Sequence, residues 1–323
     1  MSICRLGTFN HLKTHWLSPA RELYARQPVD GELFGNIYRR CVSSDKPTEA
    51  SSGSSSTMIR ENPKYPIHIL ITHPRATATA FEQVMRTFSK MTVLHSPFLD
   101  PYLFKKYGPG HPLTQGLSDS NATFEDVRKR VFQLAEDSPV FFKESGYLFI
   151  DYLKSCPDFY QHQNVKIAFL VRDPAKSILS FYRRMPTVDN SIIGHQQLWD
   201  LFELFKKELK PTPLVLDSDE LLKNPLPILN CLGERWNMKF NQTNLQWNKS
   251  GIRKDWRVED WYQAVGVSTK LESYQGDIPR QENGTPEYTE VTNCADRIKL
   301  QGFFQTQNVF YQRLRDVALK APV

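Results

Sequence analysis

Ile67-His68-Ile69-Leu70-Ile71-Thr72-His73-Pro74-Arg75-Ala76-Thr77-Ala78-Thr79-Ala80-Phe81-Glu82-Gln83-Val84-Met85 changes its hydrophobic period in the middle. Ile67 to Ile71 is a continuous apolar run, which reads as a buried strand. After the break at Thr72-His73-Pro74, apolar residues return at Phe81, Val84, Met85 and Phe88, the spacing of one helix face. A strand that feeds a helix through a turn of small and hydroxyl residues directs backbone N–H groups and the positive end of the helix dipole at one point. The turn Pro74 to Thr79 adds the Arg75 guanidinium and two hydroxyls, groups that hold a phosphate or sulfate. It lacks the glycines and Gly-Lys-Ser/Thr ending of a nucleotide triphosphatase loop. From this stretch alone, an anion cradle and a plain strand-to-helix connection both stand.

Outward from it, the chain repeats the same unit. Thr92–His95 reads as a second strand, and Ser96 to Pro112 as a long aromatic and proline-rich loop of the kind that builds pockets or lids. Thr123-Phe-Glu-Asp126 is a capping-box start for a helix with Phe124, Val127, Val131 and Leu134 on its apolar face. Strands are expected at 139–144, 166–172 and 213–216, with helices over 148–153, around Ile178, Phe181 and Tyr182, and over 198–209. Asp217-Ser218-Asp219-Glu220 begins another helix, and a helical region starts near Ala295. Recurrent strand–helix units with apolar strands imply a parallel sheet covered on both faces, with ligands beyond the carboxyl ends of its strands. Arg75, Lys143, Glu144 and Arg172 all fall at such ends.

Composition narrows the function. The 323 residues are 40% hydrophobic and 12% aromatic, enough for a large core, and carry a net charge of +6 that suits anionic ligands. The basic residues are scattered, without a nucleic-acid signature. No run approaches the roughly 18 apolar residues of a membrane span, and no secretory h-region opens the chain. Five cysteines, Cys4, Cys41, Cys156, Cys231 and Cys294, show no metal-site spacing. They read as free thiols in a reducing, cytoplasmic setting, with no metal. Residues 1–62 form an expected N-terminal appendage with a possible helix near Pro19–Arg26 and a Ser-rich flexible tract at Lys46–Thr57; residues 63–323 form the α/β domain.

The motifs resemble those of sulfotransferases. Pro74-Arg75-x-x-x-Thr79 after the first strand and Val171-Arg172-Asp173-Pro174-Ala-Lys176-Ser-Ile-Leu-Ser180-Phe181-Tyr182 after a later one are similar to the two cofactor-binding elements of that family. Trp247-Asn-Lys-Ser250-Gly251-Ile-Arg253-Lys254, followed by Trp256, Trp261-Tyr262 and Ser268-Thr269, resembles the third. The likeness covers roughly 65–275 and is nearest to a bacterial and fungal branch with a His-Pro-Arg-Ser-type turn. It implies a P-loop-like three-layer α/β fold, 3′-phosphoadenosine 5′-phosphosulfate (PAPS) as donor, and a small-molecule acceptor attacking through a hydroxyl or amine. In that scheme Arg75 with Ala76, Thr77, Ala78 and Thr79 holds the 5′-phosphosulfate. Arg172 and Ser180 hold the 3′ phosphate, with Gly251 allowing close backbone approach and Arg253 or Lys254 adding charge. Arg75 and Lys143 neutralise the sulfuryl group.

Where cytosolic sulfotransferases carry Lys-Thr-His, this strand end reads Lys143-Glu144-Ser145, so no His aligns with the base and Glu144 takes that role by position. Each assignment has a structural rival. Arg172 with Asp173 also reads as an ion pair, Glu144 as a strand end or helix-capping partner, and Trp256, Trp261 and Tyr262 as core and lid packing. The sequence departs from the family at Ala76-Thr77-Ala78, which removes a hydroxyl and sets a β-branched residue at a common glycine position; the cradle survives if φ stays negative there. That departure leaves two alternatives, a non-catalytic phosphonucleotide-binding protein and group transfer on another phosphorylated ligand.

Overall fold

Strand β1 (Ile67–Thr72) is buried at all six positions, because it is the middle of a five-stranded sheet. It lies between β3 (Val140–Ser145) and β4 (Val165–Val171), with β2 (Thr92–His95) and β5 (Leu214–Asp217) at the edges, in the order β2-β3-β1-β4-β5. Every pairing is parallel. The computed structural model describes residues 63–109, 111, 114, 123–256, 259–271 and 276–321. The appendage expected over 1–62, with its helix and Ser-rich tract, lies outside the described residues.

The helices are α1 (Ala78–Arg86), α2 (Leu99–Tyr107), α3 (Phe124–Leu134), α4 (Gly146–Ser155), α5 (Pro157–Tyr160), α6 (Pro174–Tyr182), α7 (His195–Glu208), α8 (Ser218–Lys223), α9 (Pro225–Trp236), α10 (Glu259–Val267) and α11 (Cys294–Asp316). They cover both faces of the sheet, giving the three layers of an α/β fold. Alternation along β1 divides its side chains between two cores. Ile67, Ile69 and Ile71 pack with Val140, Phe142, Phe149, Leu198 and Phe202 on one face. Leu70 packs with Phe81, Val84, Phe141, Leu229 and Trp236 on the other.

Local chemistry sets the helix ends. Thr123 and Asp126 exchange side-chain and backbone hydrogen bonds in a capping box. Asp217 accepts from the Asp219 and Glu220 N–H groups to start α8. Its other oxygen accepts from Tyr311 of α11 at 2.9 Å, which ties the long C-terminal helix to the end of β5.

One expectation is corrected. The segment after β2 is not a continuous loop: Leu99–Tyr107 is helical. Pro101 sits in its first turn, where the missing N–H would have had no intrahelical partner and therefore costs nothing. The chain leaves β1 toward β3 and β2, then crosses to β4 and β5, so the crevice between the carboxyl ends of β1 and β4 is the switch point where ligands bind in such sheets. Arg75 and Arg172 flank it.

Candidate active site

The turn after β1 is held from below. His73 is buried; its Nδ1 donates to the Pro74 carbonyl at 3.0 Å, which leaves Nε2 to accept the Arg172 N–H at 3.0 Å. His195 completes the clamp by donating from Nε2 to the Arg172 carbonyl at 2.8 Å, its ring 3.9 Å from that of His73. Burial, and then the facing His195, press the His73 pKa well down, and burial lowers His195 to about 4. Two neutral imidazoles thus lock the start of α6 to the start of the β1 turn. Ser218 of α8 adds a third tie, donating to the Ala76 carbonyl at 2.7 Å.

The turn itself differs from expectation. Arg75 lies at φ 68° and Thr77 at φ 70°, so the backbone there is left-handed, a conformation that costs a non-glycine residue about 1–2 kcal/mol. Negative φ is not what preserves the turn; the His73, Ser218 and Arg172 bonds hold it against that cost. Thr77 is the N-cap of α1 and makes no side-chain capping bond, so the first-turn N–H groups keep their capacity to bind an anion.

Above this turn the basic groups converge. Arg75 Nε donates to Ser180 Oγ at 3.0 Å and its Nη1 to the Trp261 carbonyl at 3.0 Å, with the guanidinium 5.6 Å from the Trp261 ring centroid. Arg172 Nη1 donates to the Arg75 carbonyl at 3.0 Å. Desolvation, then the nearby Arg184 charge, lowers Arg75 to about 10, so it remains a cation at neutral pH. Asp173 accepts the Ala175 N–H at 2.8 Å to cap α6 and also binds Arg280.

Lys143 and Glu144 point to opposite faces, as neighbours in a strand must. Lys143 Nζ donates to Ser96 Oγ at 2.9 Å and lies 5.9 Å from the Tyr262 ring. Glu144 turns toward the face of Val140 and Phe142, fully buried, where Oε2 accepts the Phe98 N–H at 2.9 Å and Oε1 the Ser145 N–H at 3.0 Å. Burial raises its pKa to about 7. This carboxyl pins the turn into α2.

On the Lys143 face lie His95, which the sequence offers together with His111 as a group that could face the acceptor, and Glu82, which sequence reasoning missed. Glu82 of α1 is fully buried. Its Oε2 lies 2.6 Å from His95 Nδ1, while Oε1 accepts from Arg86 and, at 3.3 Å, from Trp256 Nε1. Burial opposes its ionisation, but the charge of His95 once protonated, the His95 hydrogen bond, and the Lys143 and Arg86 cations win and bring the pKa to about 2. The signal that could have found the pair was a carboxylate on a helix whose other buried groups, Gln83 apart, are apolar.

The third element closes over this cluster. Tyr262 meets His95 edge-on at 4.9 Å, Gln83 Nε2 donates to Ser250 Oγ at 2.8 Å, and Arg86 pairs with Asp255 at 2.6 Å. Gly251, at φ 62°, donates its N–H to the Gly266 carbonyl at 3.0 Å. Arg253 pairs with Asp255, and Lys254 is exposed. A Cβ at Gly266 would stand 2.7 Å from the Gly251 carbonyl oxygen. Gly266→Ala is therefore expected to destabilise this packing by about 1–3 kcal/mol, seen as faster hydrogen exchange at the Gly251 amide; unchanged exchange would show that the two segments separate freely.

Among the described residues no cluster of His, Cys, Asp or Glu is arranged to hold a metal ion, and no helix is long and apolar enough to cross a membrane. Cys156, Cys231 and Cys294 are free thiols.

The family model described as a sulfotransferase domain matches residues 67–285. No curated protein matches the chain. Among solved structures, the sulfotransferase domain from the Synechococcus PCC 7002 olefin synthase is similar at 16% identity and TM-score 0.41, over 76% of this chain and 95% of that one. The sulfotransferase domain from the curacin biosynthetic pathway is similar at 12% identity and TM-score 0.38, over 75% and 98%. Mouse sulfotransferase SULT7A1 complexed with PAP is similar at 12% and 0.38, over 82% and 95%. The family rests on the matched sequence rather than on these superpositions.

Proposed function

Since the chain belongs to the sulfotransferase family and is a transferase, we propose that it moves a sulfuryl group from PAPS to a hydroxyl or amine of a small-molecule acceptor. The observation that carries this reading is the meeting of Arg75, Arg172 and Ser180 at the β1/β4 switch point, with Arg75 Nε 3.0 Å from Ser180 Oγ and Arg172 Nη1 3.0 Å from the Arg75 carbonyl. Three groups from two strand ends and one helix, two of them cationic, suit a ligand with two separate anionic ends.

In the reaction, the acceptor oxygen or nitrogen attacks sulfur in line with the oxygen that bridges to the 5′ phosphate. The N–H groups of Thr77, Ala78 and Thr79 bind the 5′ end at the helix N-terminus, where Ala76 and Ala78 contribute backbone only. Arg75 neutralises the leaving oxygen, and Lys143, from the next strand end, offsets charge on the sulfuryl group. Arg172 and Ser180 bind the 3′ phosphate. Gly251, Arg253 and Lys254 reach the donor only if their segment shifts from its present contacts, so their share in binding is the smaller one.

Titration calorimetry with 3′-phosphoadenosine 5′-phosphate (PAP) tests the donor. Wild type is expected to bind, and Arg172→Ala to bind on the order of 10- to 100-fold more weakly, the loss of a charge-assisted hydrogen-bond donor. Equal affinities, or no binding by the wild type, would sink the assignment. Binding without transfer of sulfuryl to any acceptor would favour a non-catalytic phosphonucleotide-binding protein, the reading that the altered Ala76-Thr77-Ala78 turn keeps open.

A further inference from the structure

His95 ends β2 directly beside Lys143, its Cα partner in the parallel register. Its side chain is 2% exposed, and Nε2 has no hydrogen-bond partner among the described residues. With Glu82 ionised, the proton of the neutral ring sits on Nδ1 and is donated to that carboxylate at 2.6 Å. Nε2 is therefore a bare lone pair, held in a fixed direction. His68 and His195 also keep one ring nitrogen without a partner among the described residues, but both are held among core groups, whereas His95 stands at a strand end, beside Lys143. It faces the cluster of Lys143 and Tyr262 with one nitrogen unused.

We propose that His95 is the catalytic base that takes the proton from the acceptor, and that Glu82 is its positioning residue. This rests on the donor reading above. The acceptor O–H oxygen (or amine nitrogen) forms the new bond to sulfur, and the bond from sulfur to the 5′-phosphate oxygen breaks, leaving its electron pair on that oxygen. The acceptor proton passes to His95 Nε2, and the imidazolium formed is stabilised by the Glu82 carboxylate across Nδ1. No electrons change hands between oxidant and reductant. Tyr262, now edge-on to the ring, gives way when the acceptor enters.

The surroundings fit a base that must be neutral before it acts. Burial and then the Lys143 charge lower the His95 pKa, against the raising effects of Glu82 and, more weakly, Asp255. The charged and titratable groups facing the ring are Glu82 from α1, Lys143 from β3, and Asp255 and Tyr262 from the third element. Arg86, paired to both Glu82 and Asp255, fixes the first carboxylate from behind. Trp256 bonds that same carboxylate from the closing segment, so closure and alignment of the base share one residue.

Nitrogen-15 NMR of the imidazole in the wild type, together with PAP calorimetry and turnover of labelled PAPS to water and to a panel of phenols and alcohols, tests the pair. In the wild type, Nδ1 is expected protonated and Nε2 bare; the opposite tautomer overturns the proposal. His95→Gln is expected to bind PAP within about twofold of wild type, to lose turnover by about 10²–10⁴-fold, and to lose the acid limb of the pH profile. Glu82→Gln is expected to lose about tenfold in turnover and to move that limb to lower pH, because the charge that favours the imidazolium is gone; a purely structural role for Glu82 would leave the limb in place. Glu144→Gln is expected to keep the limb. Wild type and His95→Gln that bind PAP alike and turn over within twofold of each other overturn the base alone. A wild type that binds no PAP overturns the donor reading and the base with it, and one that binds PAP yet transfers nothing overturns the base.

Discussion

Arg75→Ala is expected to lower turnover of PAPS by about 10²–10³-fold, the usual loss when a donor aimed at the developing charge is removed. PAP affinity is expected to fall as well, by on the order of 10- to 100-fold. The substitution is informative because it removes a guanidinium and little else. The Arg75 carbonyl, which accepts from Arg172, stays in place, and the turn is still held by His73 and by Ser218. The side-chain bonds lost are those to Ser180 and to the Trp261 carbonyl. Arg75→Lys separates charge from geometry: a lysine keeps the cation but loses the planar fork, so part of the affinity and little of the turnover should return. Turnover within twofold of wild type in Arg75→Ala would remove Arg75 from the chemistry.

The second large effect is on stability in acid. His68 is lowered to about 3 by burial and then by the Lys166 charge, His195 to about 4 by burial, and His73 well below its ordinary value. In the unfolded chain each titrates near 6.5. Between pH 6.5 and about 4 the unfolded chain therefore binds protons that the folded one refuses, and stability falls as pH falls through that window. At pH 5 His68 and His195 each contribute a loss of about 2 kcal/mol, and His73 adds a loss of the same sign. Glu144 works in the other direction: raised to about 7, it is a buried carboxyl whose unfolded form ionises above about 4.5, so acidification from pH 7 to 5 returns about 2 kcal/mol. Asp217, also raised by burial, adds to that return. The net expectation is a loss on the order of 2 kcal/mol at pH 5, against a typical total of about 5–15. Urea midpoints at pH 7.5, 6 and 5 measure it, and midpoints that do not move would show that these imidazoles are not held neutral in the fold.

The strands were legible because buried parallel strands are apolar throughout and short. Thr92–His95 and Val140–Ser145 needed no more than their β-branched and aromatic runs between turn residues. The capping box at Thr123 was legible because its two partners lie three residues apart. Leu99–Tyr107 was not, since a proline and three aromatics in nine residues look like an excursion until one sees that the proline falls in the first turn. Arg75, Lys143 and Arg172 could be placed at strand ends from sequence order, which is how topology gathers them at one edge. What sequence order could not supply was direction. Lys143 and Glu144 are adjacent in the chain and on opposite sides of the sheet, and the side of each follows from the register with β1 and β2. Nor did it reveal that His95 and Glu82 meet, because the bond joins a helix to a strand across a fold of the chain.

The bond from Arg75 to Ser180 bears on the catalytic cycle. On the PAPS reading, these two side chains serve opposite ends of the donor, yet before it arrives they satisfy each other, and the Trp261 carbonyl takes a further guanidinium N–H. Donor capture is then an exchange of partners rather than a gain of new ones, and the affinity observed is the difference between two sets of bonds. The same exchange runs backward at the end of the reaction. Once the sulfuryl group has left, the desulfonated nucleotide offers Arg75 less, while Ser180 and the Trp261 carbonyl offer what they did before. Internal bonds that tax capture thereby hasten product loss, the step that often limits the rate of enzymes whose sites close over their ligands.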